Sequence, residues 1–117
     1  MIIENKTKGT TLTNKCRVAN TFFSRLKGLL GSSSLESGHG LLLVNDKSVH
    51  TFFMQFAIDI IYIDSELNVI KLYPNMVPSR MSRYVSKTAY ILEVPVGTIG
   101  HTQTMVGDQL IFIDENF

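Results

Sequence analysis

Residues 50–64 read HTFFMQFAIDIIYID, a run in which one carboxylate, Asp59, stands among residues that are almost all aromatic or aliphatic, with His50 opening the run. An ionised carboxylate left unpaired in apolar surroundings costs several kcal/mol, so the fold must bring it a cation or a set of hydrogen-bond donors, or place it at a turn. If 58–63 is a regular strand, Asp59, Ile61 and Ile63 share one face and Ile58, Ile60 and Tyr62 the other. Both faces are apolar, so Asp59 enters a core on either assignment. Its structural readings are a buried ion pair or an Asx-type cap that accepts backbone N–H bonds. Its functional reading is the polar anchor of a ligand pocket.

The segments around this run are short and strand-like. Ile2–Glu4 and Leu12–Val18 flank a turn that pivots on Gly9. Gly40–Val44, Val49–Phe53, Ile58–Ile63, Val69–Tyr73, Ala89–Val94 and Gln109–Ile113 follow, with a hairpin turn at Ser65–Asn68. Residues 74–88 read as a long polar loop and Pro95–Gly107 as a glycine-bearing one. Between Asn20 and Gly31, Phe22, Leu26 and Leu29 recur at helical spacing, with Asn20 as N-cap and Gly31 as stop. Leu35 anchors the connection that follows. One helix and about seven or eight strands do not make a βαβ alternation; they predict a mainly β (α+β) fold, a small antiparallel or mixed barrel or sandwich closed by a helix near residues 20–30. With 117 residues and no linker or repeat, the chain reads as one domain over 1–117.

Charge excludes several function classes. The formal net charge is +1, and no block of like charges occurs, so neither a nucleic-acid stripe nor an acidic tail is indicated. The N-terminal residues lack the apolar stretch of a signal peptide, and no run reaches the length of a membrane span, which predicts a soluble, cytoplasmic chain as given. Cys16 is the only cysteine, so an intrachain disulfide and a multi-cysteine zinc site are both excluded. Lys15 and Arg17 beside it favour a lowered thiol pKa, and a half-buried strand position favours an inert one. No GxGxxG, phosphate loop or Gly-x-Ser-x-Gly elbow is present, and no cofactor is expected.

The candidate site is drawn from residues that combine charge with an inward position. Arg25 lies about 60° from the centre of the helical apolar stripe, on its inward flank, and is the expected partner of Asp59 or Glu93 through a bidentate pair. Glu93 reads either as a rim residue or as the second carboxylate of a cluster with Asp59 and Arg25. His50, with Asp59 or Glu93, is the weak candidate for acid–base chemistry. His39, His50 and His101 show no HxH or HExxH spacing, so no metal site is expected. Phe52, Met54 and Phe56, with Phe53, are core residues that would line any gap left inside the sheet.

Three blocks give the chain its resemblance to a known family: Ala19-Asn-Thr-Phe-Phe-Ser-Arg25-Leu-Lys-Gly28-Leu-Leu30; Gly40-Leu-Leu through His50-Thr-Phe-Phe-Met54 to Ile58-Asp59-Ile60; and Leu92-Glu93-Val94-Pro95-Val96-Gly97 followed by Gly107-Asp108. In pattern and order they resemble the domain-of-unknown-function 192 family. One departure is Gly31-Ser32-Ser33, where family members often carry a basic residue. The resemblance implies a compact β-rich domain with a barrel-like sheet, no established activity, relatives that are often exported, and some that accompany secretion or pilus-assembly genes.

Three readings of function follow. The first is a non-catalytic binding or accessory domain with an apolar pocket or groove, for an unknown small molecule or peptide, whose polar end is Arg25, Asp59 or Glu93. The second is a protein-interaction module that docks a partner through a sheet edge or the basic segment Arg80–Lys87. The third is a small acid–base enzyme that needs His50 within hydrogen-bond reach of Asp59 or Glu93.

Overall fold

The computed structural model describes residues 1–19, 35–45, 47, 56–77 and 82–114. Among them are eight strands and one short helix: β1 (Ile2–Asn5), β2 (Thr10–Thr13), β3 (Lys15–Ala19), β4 (His39–Val44), β5 (Ile58–Ile63), β6 (Val69–Met76), β7 (Tyr90–Pro95), α1 (Thr98–Thr102) and β8 (Leu110–Ile113). They form a three-stranded sheet in the order β2-β1-β8 and a five-stranded sheet in the order β3-β4-β7-β5-β6. The fold is mainly β, as expected, but the sheets are not closed into a barrel. Their edges meet at two corners, where the Cys16 N–H donates to the Met1 carbonyl at 3.0 Å and the Val69 N–H to the Asp108 carbonyl at 2.9 Å. The expected helix at 20–30 and the expected strand at 49–53 lie outside the described residues.

The strand over 58–63 is buried at every position. It pairs with β7 on one side and β6 on the other, and its two faces feed two cores. Ile61 and Ile63 join Ile3, Leu12, Leu92, Val94, Ile99 and Leu110 between the sheets. Ile58, Ile60 and Tyr62 join Leu41, Leu43, Met76 and Ile91 on the far side, where Leu35 and Phe56 pack. The period-2 alternation expected for this segment is therefore the division between the two cores.

Other segments depart from expectation. Leu12–Val18 is not one strand. The chain leaves the first sheet at Asn14, and β3 pairs parallel with β4 in the second; the Asn14 and Lys15 N–H groups both donate to the Gly38 carbonyl at 3.0 Å. Apolar alternation carries no information about which partner a strand takes. Strand β6 runs on through Pro74, which is tolerated because β6 stands at the edge of the sheet, with no second strand beside it among the described residues. A register shift follows: the interval Ile58–Ile60 faces Met76–Tyr73, so the extra residue sits opposite Asp59. Asn75 there has φ 55°.

Close approach explains one glycine. A Cβ on Gly40 would lie 3.0 Å from Thr13 Oγ1 and 3.2 Å from Thr13 Cβ. Thr13 is buried and its hydroxyl donates to the Gly38 carbonyl at 2.7 Å, so it has nowhere to go. Gly40→Ala is expected to cost about 1–3 kcal/mol by overpacking. A Cβ on Gly100 in α1 meets nothing within 4 Å, so Gly100→Ala should stabilise by about 0.5–1 kcal/mol through lower backbone entropy. Urea midpoints of the two variants should move in opposite directions.

Candidate functional site

Asp59 is 1% exposed, on the face of β5 that looks toward the three-stranded sheet. Its Oδ1 accepts the Asn75 N–H at 2.8 Å, and its Oδ2 accepts the Gly97 N–H at 3.2 Å and the Ile99 N–H at 2.9 Å. Each donor belongs to a place where the ladder fails: Asn75 to the β6 bulge, Gly97 and Ile99 to the start of α1. Gly97, the N-cap of α1, has φ 97° and no side chain with which to cap. Asp59 supplies that cap from another strand. Of the structural readings made from sequence, the cap that accepts backbone donors describes this geometry.

Glu93 lies elsewhere. In register it sits opposite Leu41 of β4 and Ile60 of β5. Both neighbours belong to the far core. Asp59 is opposite Val94, which belongs to the core between the sheets. The two carboxylates therefore stand on opposite faces of the five-stranded sheet and form no common cluster. Glu93 is also not a rim residue: β7 is flanked by β4 and β5, and Glu93 is 6% exposed. Phe56 packs on the same face as Glu93. Arg25, His50, Phe52 and Met54 lie outside the described residues.

Cys16 is buried, and desolvation pushes its thiol up to about 11, against the smaller opposing pull of the N-terminal ammonium. The lowered pKa that its basic neighbours favoured is thus overturned, because burial outweighs charges that face solvent. Tyr62 is buried with its phenol raised by desolvation, and the hydrogen bond with Ser82 opposes that. Its hydroxyl also meets the Arg83 carbonyl at 2.7 Å, while Tyr73 Oη accepts the Arg83 N–H at 3.1 Å. Two phenols thereby fasten Ser82 and Arg83 to the sheet.

Gly107-Asp108 enters the sequence analysis only as part of a motif block. Asp108 in fact gathers three partners: Asn5 Nδ2 at 2.9 Å, the Met105 N–H at 2.9 Å and Lys8 Nζ at 3.0 Å. Burial pushes this carboxyl up, but the bonds from Asn5, Met105 and Lys8, with the Lys8 charge, together outweigh it and hold it below its ordinary value. Asn5 and Lys8 are about a hundred residues away in sequence, so no local pattern announces the cluster. Among the described residues no three His, Cys, Asp or Glu side chains gather as metal ligands would.

Comparison with known proteins places this geometry in a group without an assigned task. The family described as "Uncharacterized ACR" matches residues 3–112. A UPF0127 protein of Thermococcus sibiricus is 36% identical over 112 residues, covering 91% of this chain and 71% of its own. A crystal structure of a protein of unknown function from Novosphingobium aromaticivorans superposes with a TM-score of 0.83 at 19% identity, covering 95% of this chain and 83% of that one. A proposed transcription regulator from Sinorhizobium meliloti superposes with a TM-score of 0.74 at 23% identity, covering 94% and 89%. At these identities the two structures share the fold.

Proposed function

The chain belongs to the domain-of-unknown-function 192 family, and on that premise we propose that it is a non-catalytic binding domain whose ligand lies on the far face of the five-stranded sheet. Glu93 carries this reading. It is a buried carboxylate on an inner strand, with Leu41 and Ile60 beside it and Phe56 on the same face. An apolar wall that carries, among the described residues, one acidic group suits a ligand with an apolar body and an amine or amide end. Arg25, Phe52 and Met54 join this site in the proposal, as the polar end and the wall. Asp59 serves the site indirectly, by holding β5 in place with both of its oxygens engaged.

A thermal-shift screen against primary amines, short peptides and small apolar metabolites tests the reading. A ligand at a hundred times its dissociation constant adds about 2.7 kcal/mol, which moves the midpoint by several degrees in a domain of this size. The shift is expected to vanish in Glu93→Gln. A panel that leaves the wild type unmoved, or a ligand that stabilises Glu93→Gln equally, sinks the proposal. A second reading, the protein-interaction module, draws on Tyr84, which is 64% exposed between Arg83 and a turn that ends near Lys87. An exposed tyrosine beside cationic residues is the type of side chain that anchors interfaces.

A further inference from the structure

We infer that the cleft between β2, the turn before β4 and α1 is a binding site for a small neutral polyol of monosaccharide size. It is independent of the face that carries Glu93. The cleft has a volume of about 220 Å³, below the range of about 300–1,000 Å³ that holds drug-sized ligands.

Four threonines, Thr11, Thr13, Thr98 and Thr102, line it, and Leu12 is also in the lining. A threonine offers a hydroxyl and a methyl from one carbon. A wall of them therefore alternates polar and apolar groups on the scale at which a sugar alternates O–H and C–H. Three of the hydroxyls are fixed in direction. Thr13 donates to the Gly38 carbonyl, Thr98 to the Pro95 carbonyl and Thr102 to the Thr98 carbonyl, each at 2.7 Å. Thr13 and Thr102 are buried, and the Thr102 oxygen also meets Thr104 Oγ1 at 2.7 Å, so these two set the floor of the cleft. The hydroxyls within a ligand's reach are those of the exposed Thr11 and the half-buried Thr98, which donates inward and keeps lone pairs that accept from outside. The remaining polar lining comes from Asn14, Ser37 and His101, each of which can both donate and accept. Among the described residues no Lys, Arg, Asp or Glu lines the cleft. A site balanced in donors and acceptors, and without formal charge, selects a ligand that is likewise balanced and uncharged.

The test is an amide-resolved NMR titration of the full chain with D-glucose, D-galactose, D-mannose and myo-inositol, with inorganic phosphate in parallel. Saturable shifts are expected in the amides of residues 11–14, 37–38 and 98–102 with at least one polyol. Binding should be about fivefold weaker in Ser37→Ala and in His101→Ala, the loss of one hydrogen bond each. Both side chains are solvent-exposed, so the variants keep the fold. Glu93→Gln should titrate as the wild type does, which separates this site from the one proposed above. Silence with all four polyols overturns the inference. So do shifts produced by phosphate alone, or polyol shifts confined to β5 and β7.

Discussion

Asp59→Ala is expected to lower stability by about 3–5 kcal/mol, the largest effect expected of a polar substitution among the described residues. Three backbone donors lose their acceptor at once: Asn75, Gly97 and Ile99. A buried donor left unsatisfied costs about 1–3 kcal/mol, and some of that is recovered as water enters the space of the lost carboxylate. A domain of this kind holds only about 5–15 kcal/mol in total, so the variant approaches the threshold of folding. Asp59→Asn is the informative companion. It keeps one carbonyl oxygen but turns an NH₂ group toward a donor, so it should recover less than half of the loss. Urea unfolding gives the magnitudes. Hydrogen exchange gives the locations, since protection should drop first at Asn75, Gly97 and Ile99. A loss under about 1 kcal/mol for Asp59→Ala would mean that these bonds contribute little net stability.

Asp108→Ala is expected to cost about 2–4 kcal/mol. The Lys8 ion pair is the smaller part, because Lys8 is partly exposed, with side-chain accessibilities of 24% and 7% for the two partners, and such pairs are worth about 0–1 kcal/mol. The buried bonds from Asn5 and Met105 to a charged acceptor supply the rest, at about 1.5 kcal/mol or more each. The pH dependence has a definite sign. The carboxyl of the folded chain is held below its ordinary value, so its contribution is complete above the unfolded pKa of about 3.9 and is lost as the pH falls through the lower folded value. The gap in unfolding free energy between wild type and Asp108→Asn should therefore narrow between about pH 6 and about pH 3. A gap that stays constant over that range would show that the ionised form is not what stabilises the fold.

Much of the sheet was legible because burial leaves a local trace. The two apolar faces of 58–63 became the two cores, and Gly9, with φ 68°, sits where the first turn pivots. What was not legible is set by partners distant in sequence. The helix α1, five residues of Thr-Ile-Gly-His-Thr, has poor intrinsic propensity and is capped by a carboxylate some forty residues earlier, so its segment read as a loop. The change of sheet at Asn14 depends on which neighbour each strand finds. Glu93 read as a possible rim residue because the order β4-β7-β5, which puts β7 inside the sheet, cannot be inferred from β7 alone. The grouping of Asp59 with Glu93 failed for a related reason. Asp59 pairs with Val94, not Glu93, and that one-residue register difference sends the two carboxylates to opposite faces.

The antiparallel pairing of β1 with β8, from Ile2–Ile113 to Asn5–Leu110, also decides how the molecule bears load. Force applied at Ile2 and Ile113 acts on two neighbours at the same end of a ladder, so the rungs open in succession and are never sheared together. Such a geometry yields at low tension. The zipper runs inward as far as Asn5, where the bond to Asp108 and the Asp108–Lys8 contact resist as a group. The mechanical strength of the three-stranded sheet is thus set at the cluster around Asp108, at the inner end of the β1–β8 seam.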